Sequence, residues 1–140
     1  MASATATQTA VLVVEDNRDT RDSLKTLLEL LGYAVEVAAD GEEGVARGLA
    51  LRPRVALVDF GLPRLDGCAV GRRLREALGG GVLLVSYTGH GDAATRARAL
   101  EAGFDLHLVK PLDWNLFAPW LAEAVGELSP PLTAASGPAS

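Results

Sequence analysis

Residues 55–59 read VALVD, a run of small and β-branched apolar side chains that ends in a carboxylate. A second apolar run, VLLVS, spans residues 82–86. Apolar side chains at successive positions are typical of strands that are buried on both faces of a parallel sheet. The two runs therefore predict two central strands of an α/β protein.

Three further short apolar runs lie elsewhere in the chain, and helical patterns separate all of them. The predicted strands are residues 10–14, 33–38, 55–59, 82–86 and 106–109. Their starts are roughly 22–27 residues apart, which leaves room for one crossover helix after each strand. This alternation predicts an open parallel α/β sheet with right-handed connections.

Helix positions follow from apolar side chains that recur at helical spacing. One stripe contains Leu24, Leu27, Leu28 and Leu31, and another contains Val70, Leu74, Ala77 and Leu78. Gly32 and Gly103 stand where the first and fourth helices are expected to end. Pro119 falls inside the last predicted helix. Either Asp113 caps a helix that bends at Pro119, or regular helix begins only near residue 118.

Length and composition predict one folded domain. The chain has 140 residues, of which 49% are hydrophobic and 22% charged, and this composition argues against a disordered or fibrous protein. Residues 10–128 form the predicted folded unit. Residues 1–9 and 129–140 are rich in small and polar residues and are predicted to be flexible tails or a truncated linker. The single cysteine, Cys68, excludes an internal disulfide and is expected to be a small buried apolar side chain.

The charge balance and the start of the chain limit the partners and the location. The formal net charge is −5, which argues against direct binding to nucleic acid or to an anionic membrane surface. The first residues lack the basic and apolar regions of a secretory signal, and no apolar run is long enough to cross a bilayer. These features predict a cytoplasmic protein.

Polar side chains stand at the ends of four predicted strands. Glu15 and Asp16 follow the first strand, Asp59 ends the third, Thr88 follows the fourth and Lys110 follows the fifth. Each has an ordinary interpretation as a helix cap, a turn residue or a surface lysine. Because the carboxyl ends of parallel strands meet at one edge of the sheet, their joint occurrence favours a functional site there.

The chemistry of these side chains is specific. Clustered carboxylates repel one another unless a cation joins them, and oxygen ligands of this kind suit Mg²⁺. An ionised aspartate beside such a cation can attack a phosphoryl group. A lysine ammonium then neutralises charge on the phosphoryl oxygens.

Four segments carry a family resemblance that covers residues 10–128. These are VLVVEDN (11–17), DFGLPRLDG (59–67), SYTG (86–89) and LVKP (108–111). They resemble the signature blocks of response-regulator receiver domains of the CheY-like superfamily, either stand-alone or part of a hybrid histidine kinase. The resemblance implies a (βα)5 flavodoxin-like fold, a doubly wound parallel sheet with strand order 2-1-3-4-5.

The resemblance also implies a role for each acidic residue. Asp59 would accept a phosphoryl group from the phosphohistidine of a histidine kinase or histidine phosphotransfer protein. Glu15, Asp16 and Asp59 would hold Mg²⁺ together with the backbone carbonyl of Gly61.

Further roles are implied for the remaining motif residues. Lys110 would pair first with the phosphoacceptor and then with a phosphoryl oxygen, and Thr88 would hydrogen-bond the phosphoryl group. His107 occupies the switch position, where the family usually has tyrosine or phenylalanine. This departure predicts pH sensitivity, or else a partly exposed histidine without a switching role. Gly61 and His90 occupy positions expected to tune the lifetime of the phosphoryl group.

The turn after the third strand is predicted to be structural. Asp66 is expected to cap the third helix rather than to bind metal. Gly67 is expected to permit an unusual backbone conformation there.

Two-component signalling is the function that this resemblance implies. The domain would be a regulatory phosphoacceptor, not an enzyme, although it would assist its own phosphorylation and dephosphorylation. Phosphorylation would shift the face made by residues 92–102, 106–109 and 114–128, and this face would control a downstream protein partner. Among the aromatic side chains of that face, Trp114 is expected to be the most accessible to a partner.

Two alternatives belong to other classes of function. One is a receiver-like interaction module that works without phosphorylation. The other is a Mg²⁺-dependent phosphotransferase or phosphatase of the haloacid-dehalogenase type. Such an enzyme needs a second aspartate two residues after the first, where this chain has Gly61.

Overall fold

The computed structural model describes residues 9–62, 65–89 and 91–128. Within these ranges, strands and helices alternate along the chain. The strands are β1 (Ala10–Val14), β2 (Ala34–Ala38), β3 (Val55–Asp59), β4 (Leu83–Thr88) and β5 (Leu106–Val109). The helices are α1 (Arg18–Leu30), α2 (Gly41–Leu51), α3 (Gly67–Leu78), α4 (Ala93–Glu101) and α5 (Trp114–Leu128), and a 3₁₀ turn spans Gly79–Gly81. The predicted tails lie outside the described residues, apart from Thr9.

All strand pairs in the described part of the chain are parallel, and the order across the five-stranded sheet is β2-β1-β3-β4-β5. This confirms the predicted (βα)5 flavodoxin-like fold. Every residue of β3 and β4 is buried, because helices cover both faces of the sheet centre. None of the helices in the described ranges combines the length and the apolar character needed to cross a membrane.

The core has two layers, one on each face of the sheet. One layer packs α2, α3 and α4 onto the sheet through Val45, Val70, Leu74 and Ala99. The other packs α1 and α5 through Leu24, Leu28, Phe117, Leu121 and Val125. Because all the described strands are parallel, the loops that follow them lie at one edge of the sheet.

Three strand boundaries differ from the predictions: the start of β2 and both ends of β4, which begins at Leu83 instead of residue 82. Strand β4 runs to Thr88, two residues beyond the predicted end, because its neighbours extend the ladder: Phe60 N–H donates to the Tyr87 carbonyl at 2.9 Å and Lys110 N–H donates to the Thr88 carbonyl at 2.7 Å. Strand β2 starts one residue late because Tyr33 N–H donates back to α1, to the Leu28 carbonyl at 3.1 Å.

Side-chain caps begin helices α1 to α4. The acceptors are Asn17, Asp40, Asp66 and Asp92, which receive the backbone N–H groups of Thr20, Glu43, Ala69 and Thr95 at 2.9, 2.8, 3.0 and 2.9 Å. The capping role predicted for Asp66 is therefore confirmed. Gly32 and Gly103, each with φ of 101°, follow the ends of α1 and α4 as predicted.

Helix α5 begins at Trp114 and continues through Pro119. Asp113 starts it: its side chain accepts the Asn115 N–H at 3.0 Å and its carbonyl accepts the Phe117 N–H at 2.9 Å. The alternative in which regular helix begins near residue 118 is therefore wrong. Pro119 is exposed, so water can replace the hydrogen bond that its ring removes.

Cys68 at the start of α3 is half-buried rather than fully buried. Its Sγ lies 3.7 Å from Arg98 Nη2, across the contact between α3 and α4.

Gly67 corrects a prediction about backbone conformation. It does not have a positive φ; instead, a Cβ at this position would lie 2.7 Å from Phe60 Cα and 2.9 Å from the Asp59 carbonyl oxygen. Close approach of two backbone segments therefore requires glycine here.

Gly67→Ala is expected to destabilise the protein by about 1–3 kcal/mol, because backbone atoms must move to admit the methyl group. Gly61→Ala is the matched control, since a Cβ at Gly61 meets nothing within 4 Å. Urea unfolding of both variants measures the difference. Equal stability of the two variants would contradict the close-approach explanation.

Candidate functional site

Three carboxylates converge at the carboxyl ends of β1 and β3. One oxygen each from Glu15, Asp16 and Asp59 lies within 4.8 Å of the other two. Glu15 is 1% exposed and Asp59 6% exposed, whereas Asp16 is open to solvent. Carboxylate oxygens with one open side fit Mg²⁺, which takes hard oxygen ligands and keeps part of its water shell. These residues could therefore hold the predicted cation.

The loop from β1 to α1 sets the position of the first two carboxylates. Glu15 N–H donates to the Ala38 carbonyl of β2 at 3.0 Å, which continues the sheet by one residue. Arg21 Nη1 donates to the backbone carbonyls of Glu15 and Asp16 at 3.0 and 3.4 Å. The Asn17 N–H donates to Glu15 Oε2 at 2.9 Å. Backbone and side-chain hydrogen bonds together thus fix the conformation of this loop.

Lys110 brings a positive charge to this cluster from the end of β5. Its Nζ lies 3.6 Å from Asp59 Oδ1 and 3.7 Å from Glu15 Oε1. The Gly61 N–H donates to Asp59 Oδ1 at 3.1 Å, so this loop turns back to the carboxylate. The predicted use of the Gly61 carbonyl as a metal ligand stays a prediction. His90 lies outside the described residues.

Tyr87 is a member of the site that the sequence interpretation missed. Its phenol O–H donates to Glu15 Oε1, and its ring lies under the Lys110 ammonium, 4.8 Å from ring centroid to Nζ. Asp59 and Tyr87 are register partners in β3 and β4, so their side chains share one face of the sheet. The alternation of side chains along a strand was the signal that could have revealed Tyr87. Tyr87 stands two residues after Val85 and Asp59 two residues after Leu57, so each continues the same face of its strand.

Burial raises the pKa of both Glu15 and Tyr87, and the hydrogen bond between them acts in opposite directions on the two groups. Burial raises the pKa of the Glu15 carboxyl, while the hydrogen bonds from Tyr87 and Asn17 act in the other direction. Burial, followed by the hydrogen bond to Glu15, raises the pKa of the Tyr87 phenol. Tyr87 is therefore a neutral hydrogen-bond donor at physiological pH.

Thr88 and His107 lie in the neighbouring part of the sheet. Thr88 is the last residue of β4 and is 6% exposed. His107 in β5 is 8% exposed; its Nδ1 lies 2.6 Å from Ser86 Oγ and its ring meets the edge of Phe60 at 5.6 Å between centroids. The alternative of a partly exposed His107 is therefore wrong, because the ring packs into the α3–α4 side of the sheet.

Burial, with a smaller effect from the Arg96 charge, lowers the pKa of His107. As pH falls, His107 is therefore protonated in the unfolded chain before it is protonated in the folded one. Its contribution to the free energy of unfolding is complete above its ordinary pKa near 6.5 and is lost progressively below it. The stability of the protein is expected to fall as pH drops below that value.

His107→Phe should remove the loss of stability that His107 causes at low pH, because a phenyl ring does not titrate. Unfolding free energies at pH 7.5 and pH 5.5 measure the effect in both proteins. The same loss of stability in wild type and variant would contradict it. His90 is present in both proteins and cancels in the comparison.

Apolar side chains line a groove of about 290 Å³ between β5 and α5. Its lining includes Leu106, Leu108, Leu112, Phe117 and Trp120. Trp114, half-buried, packs edge-on against Phe117 at 5.6 Å between centroids, whereas Leu116 is 72% exposed. Leu116 therefore offers more apolar surface to a partner than Trp114 does.

The chain resembles known proteins in both sequence and fold. The chain matches the family model "Response regulator receiver domain" over residues 11–118. It is 39% identical over 101 residues to the response regulator MprA of Mycolicibacterium vanbaalenii, covering 72% of this chain and 43% of MprA. The chain thus spans less than half the length of the curated relatives it matches.

Two solved structures are similar along nearly their whole length. A CheY-like receiver domain protein from Methanospirillum hungatei JF-1 has a TM-score of 0.81 and 29% identity, covering 87% of this chain and 97% of its own. The receiver domain of the sensor histidine kinase PA1611 from Pseudomonas aeruginosa has a TM-score of 0.77 and 30% identity, covering 85% and 98%. That structure carries a magnesium ion coordinated in the active site cleft.

Proposed function

This chain belongs to the response regulator receiver domain family, and from that premise we propose that Asp59 accepts a phosphoryl group in a Mg²⁺-dependent reaction. The donor is a histidine kinase or a histidine phosphotransfer protein. Receiver domains are regulatory domains of two-component systems. The domain's own part in the chemistry is to assist its phosphorylation and dephosphorylation.

The observation that carries this proposal is the setting of Asp59. Asp59 is the last residue of the buried strand β3, and the Lys110 Nζ lies 3.6 Å from its carboxylate. Two further carboxylates each place an oxygen within 4.8 Å of an Asp59 oxygen. Glu15, Asp16, Asp59 and the Gly61 carbonyl are the proposed ligands of the cation. When bound there, Mg²⁺ supplies positive charge that offsets the repulsion between carboxylate and phosphoryl oxygens.

In the proposed transfer, an Asp59 carboxylate oxygen attacks phosphorus in line with the donor nitrogen. The new O–P bond forms as the N–P bond of the phosphohistidine breaks, and the imidazole leaves with the electron pair of that bond. The Lys110 ammonium then pairs with a phosphoryl oxygen, because it lies beside both Asp59 and Glu15. The Thr88 hydroxyl donates to another phosphoryl oxygen.

The phosphoryl group is proposed to favour one conformation of β5 and its neighbours. His107, as the switch residue, is buried against Phe60, so a shift of Thr88 in the adjoining strand changes the space around it. Exposed Leu100, Val109 and Leu116 lie on the α4–β5–α5 face. An apolar surface of this kind fits a downstream protein partner.

Intact mass spectrometry after incubation with acetyl phosphate, with and without Mg²⁺, tests the proposal. The expected result is a single phosphoryl adduct that forms only with Mg²⁺ and maps to the peptide containing Asp59. Beryllofluoride, which mimics the acyl phosphate, is expected to bind in the presence of Mg²⁺ even when the adduct turns over quickly.

Absence of the adduct, of beryllofluoride binding and of Mg²⁺ binding would overturn the proposal. The chain would then act as an interaction module that works without phosphorylation.

A further inference from the structure

We propose that Tyr87 is a positioning residue of this site, which holds the Glu15 carboxylate through its phenol and the Lys110 ammonium through its ring. This inference rests on the function proposed above and extends it to a residue that the motif comparison left without a role. Two contacts of Tyr87 and its burial carry this inference.

The first contact fixes Glu15. Its two carboxylate oxygens receive different donors: Oε2 accepts the Asn17 N–H at 2.9 Å, and Oε1 accepts the Tyr87 O–H. Donors on both oxygens hold a buried carboxylate in one rotational position. Glu15 therefore presents the same geometry to a cation before the cation arrives.

The second contact sets the distance of Lys110 from the carboxylates. Its Nζ is 3.6 and 3.7 Å from the nearest oxygens of Asp59 and Glu15. These distances exceed the roughly 2.7–3.2 Å of a direct hydrogen bond. The ring of Tyr87, 4.8 Å from Nζ, attracts the ammonium from another side. The ammonium can therefore turn to a phosphoryl oxygen without first breaking a hydrogen bond to either carboxylate.

The third feature is the rigidity of Tyr87 itself. The residue is 1% exposed and is paired in register with Asp59 in the centre of the sheet. Burying a phenol costs solvation unless its hydroxyl finds a partner, and here the partner is Glu15. A purely apolar side chain would fill this space without that cost, so the hydroxyl points to a use beyond packing.

Without the phenol, Glu15 is free to rotate toward Lys110, and the ammonium moves into the carboxylate cluster. There it competes with a divalent cation for the same oxygens. Loss of Tyr87 should therefore weaken Mg²⁺ binding and slow phosphorylation, even though Tyr87 contacts neither Mg²⁺ nor the phosphoryl group directly in this proposal.

Titration calorimetry with MgCl2 tests whether the Tyr87 hydroxyl supports Mg²⁺ binding. Tyr87→Phe keeps the ring and removes the hydroxyl, and Mg²⁺ binding is expected to weaken roughly tenfold, as for other residues that orient metal ligands. Tyr33→Phe is the matched control. Tyr33 directly precedes β2, at the amino end of the sheet, and its substitution should leave the Mg²⁺ affinity within twofold of wild type.

NMR of the lysine side chains tests the contact between the Tyr87 ring and the Lys110 ammonium. This measurement requires no phosphorylation. The chain has two lysines, Lys25 and Lys110, so their ε-methylene signals are readily assigned. The ring current of the aromatic side chain should shift the Lys110 signal upfield in wild type and in Tyr87→Phe. In Tyr87→Leu that signal should move toward the position of Lys25.

Unchanged Mg²⁺ affinity in Tyr87→Phe, or an unchanged Lys110 signal in a folded Tyr87→Leu, would overturn the role of Tyr87. If Tyr87→Leu does not fold, Tyr87→Phe alone decides through its Mg²⁺ affinity. Failure of the proposed function is distinct, because it appears as a wild-type protein that takes no phosphoryl group.

Discussion

Asp59→Asn is expected to abolish the phosphoryl adduct formed with acetyl phosphate and Mg²⁺. The amide has no ionised oxygen to attack phosphorus, so the rate of phosphorylation should fall by more than about a thousandfold. Intact mass measured over time in wild type and variant gives the two rates. An adduct of equal yield in Asp59→Asn would place the acceptor elsewhere and contradict the assignment.

The control for this variant is a measurement of its thermal stability. In the absence of Mg²⁺, Asp59→Asn should be at least as stable as wild type, because the substitution removes one of three carboxylates that lie within 4.8 Å of one another. Adding Mg²⁺ should raise the melting temperature of wild type more than that of the variant. Loss of activity in a variant that melts at or above the wild-type temperature is then a loss of chemistry, not of fold.

Lys110→Met is expected to have the second largest effect. The ammonium lies 3.6 Å from Asp59 and is the proposed partner of a phosphoryl oxygen, so its loss removes a positioned charge from the transfer step. A decrease of about 100-fold in the phosphorylation rate is the usual size for such a group. The rate with acetyl phosphate at saturating Mg²⁺ measures it.

Lys25→Met is the matched control, since it removes the other lysine of the chain. Lys25 lies on α1 and pairs with Glu29 at 2.5 Å on the surface of the helix. Its substitution should leave the phosphorylation rate within twofold of wild type. Comparable losses in both variants would mean that net charge, rather than the position of Lys110, governs the reaction.

The strands and helix ends were predictable because their signals are local. The apolar runs 55–59 and 106–109 have the observed strand bounds, and Gly32 and Gly103 follow the helices they were expected to end. The end of β4 was not predictable in this way, since its last residues, Tyr87 and Thr88, join the sheet through hydrogen bonds from Phe60 and Lys110, which are distant in sequence.

The convergence of Glu15, Asp16, Asp59 and Lys110 could be predicted for a topological reason. Parallel strands place their carboxyl ends at one edge, whatever the details of packing, and the structure brings these four side chains together there.

The class of fold, the order of its elements and the edge at which the polar side chains meet could be read from the amino-acid sequence, because these depend on local patterns and on the geometry of parallel sheets. The link from Glu15 through Tyr87 to Lys110, the depth at which His107 is buried and the reason for glycine at Gly67 became visible only in the folded chain. Each of these depends on the approach of segments that are distant in the chain, and distances between such segments are set by packing across the whole sheet.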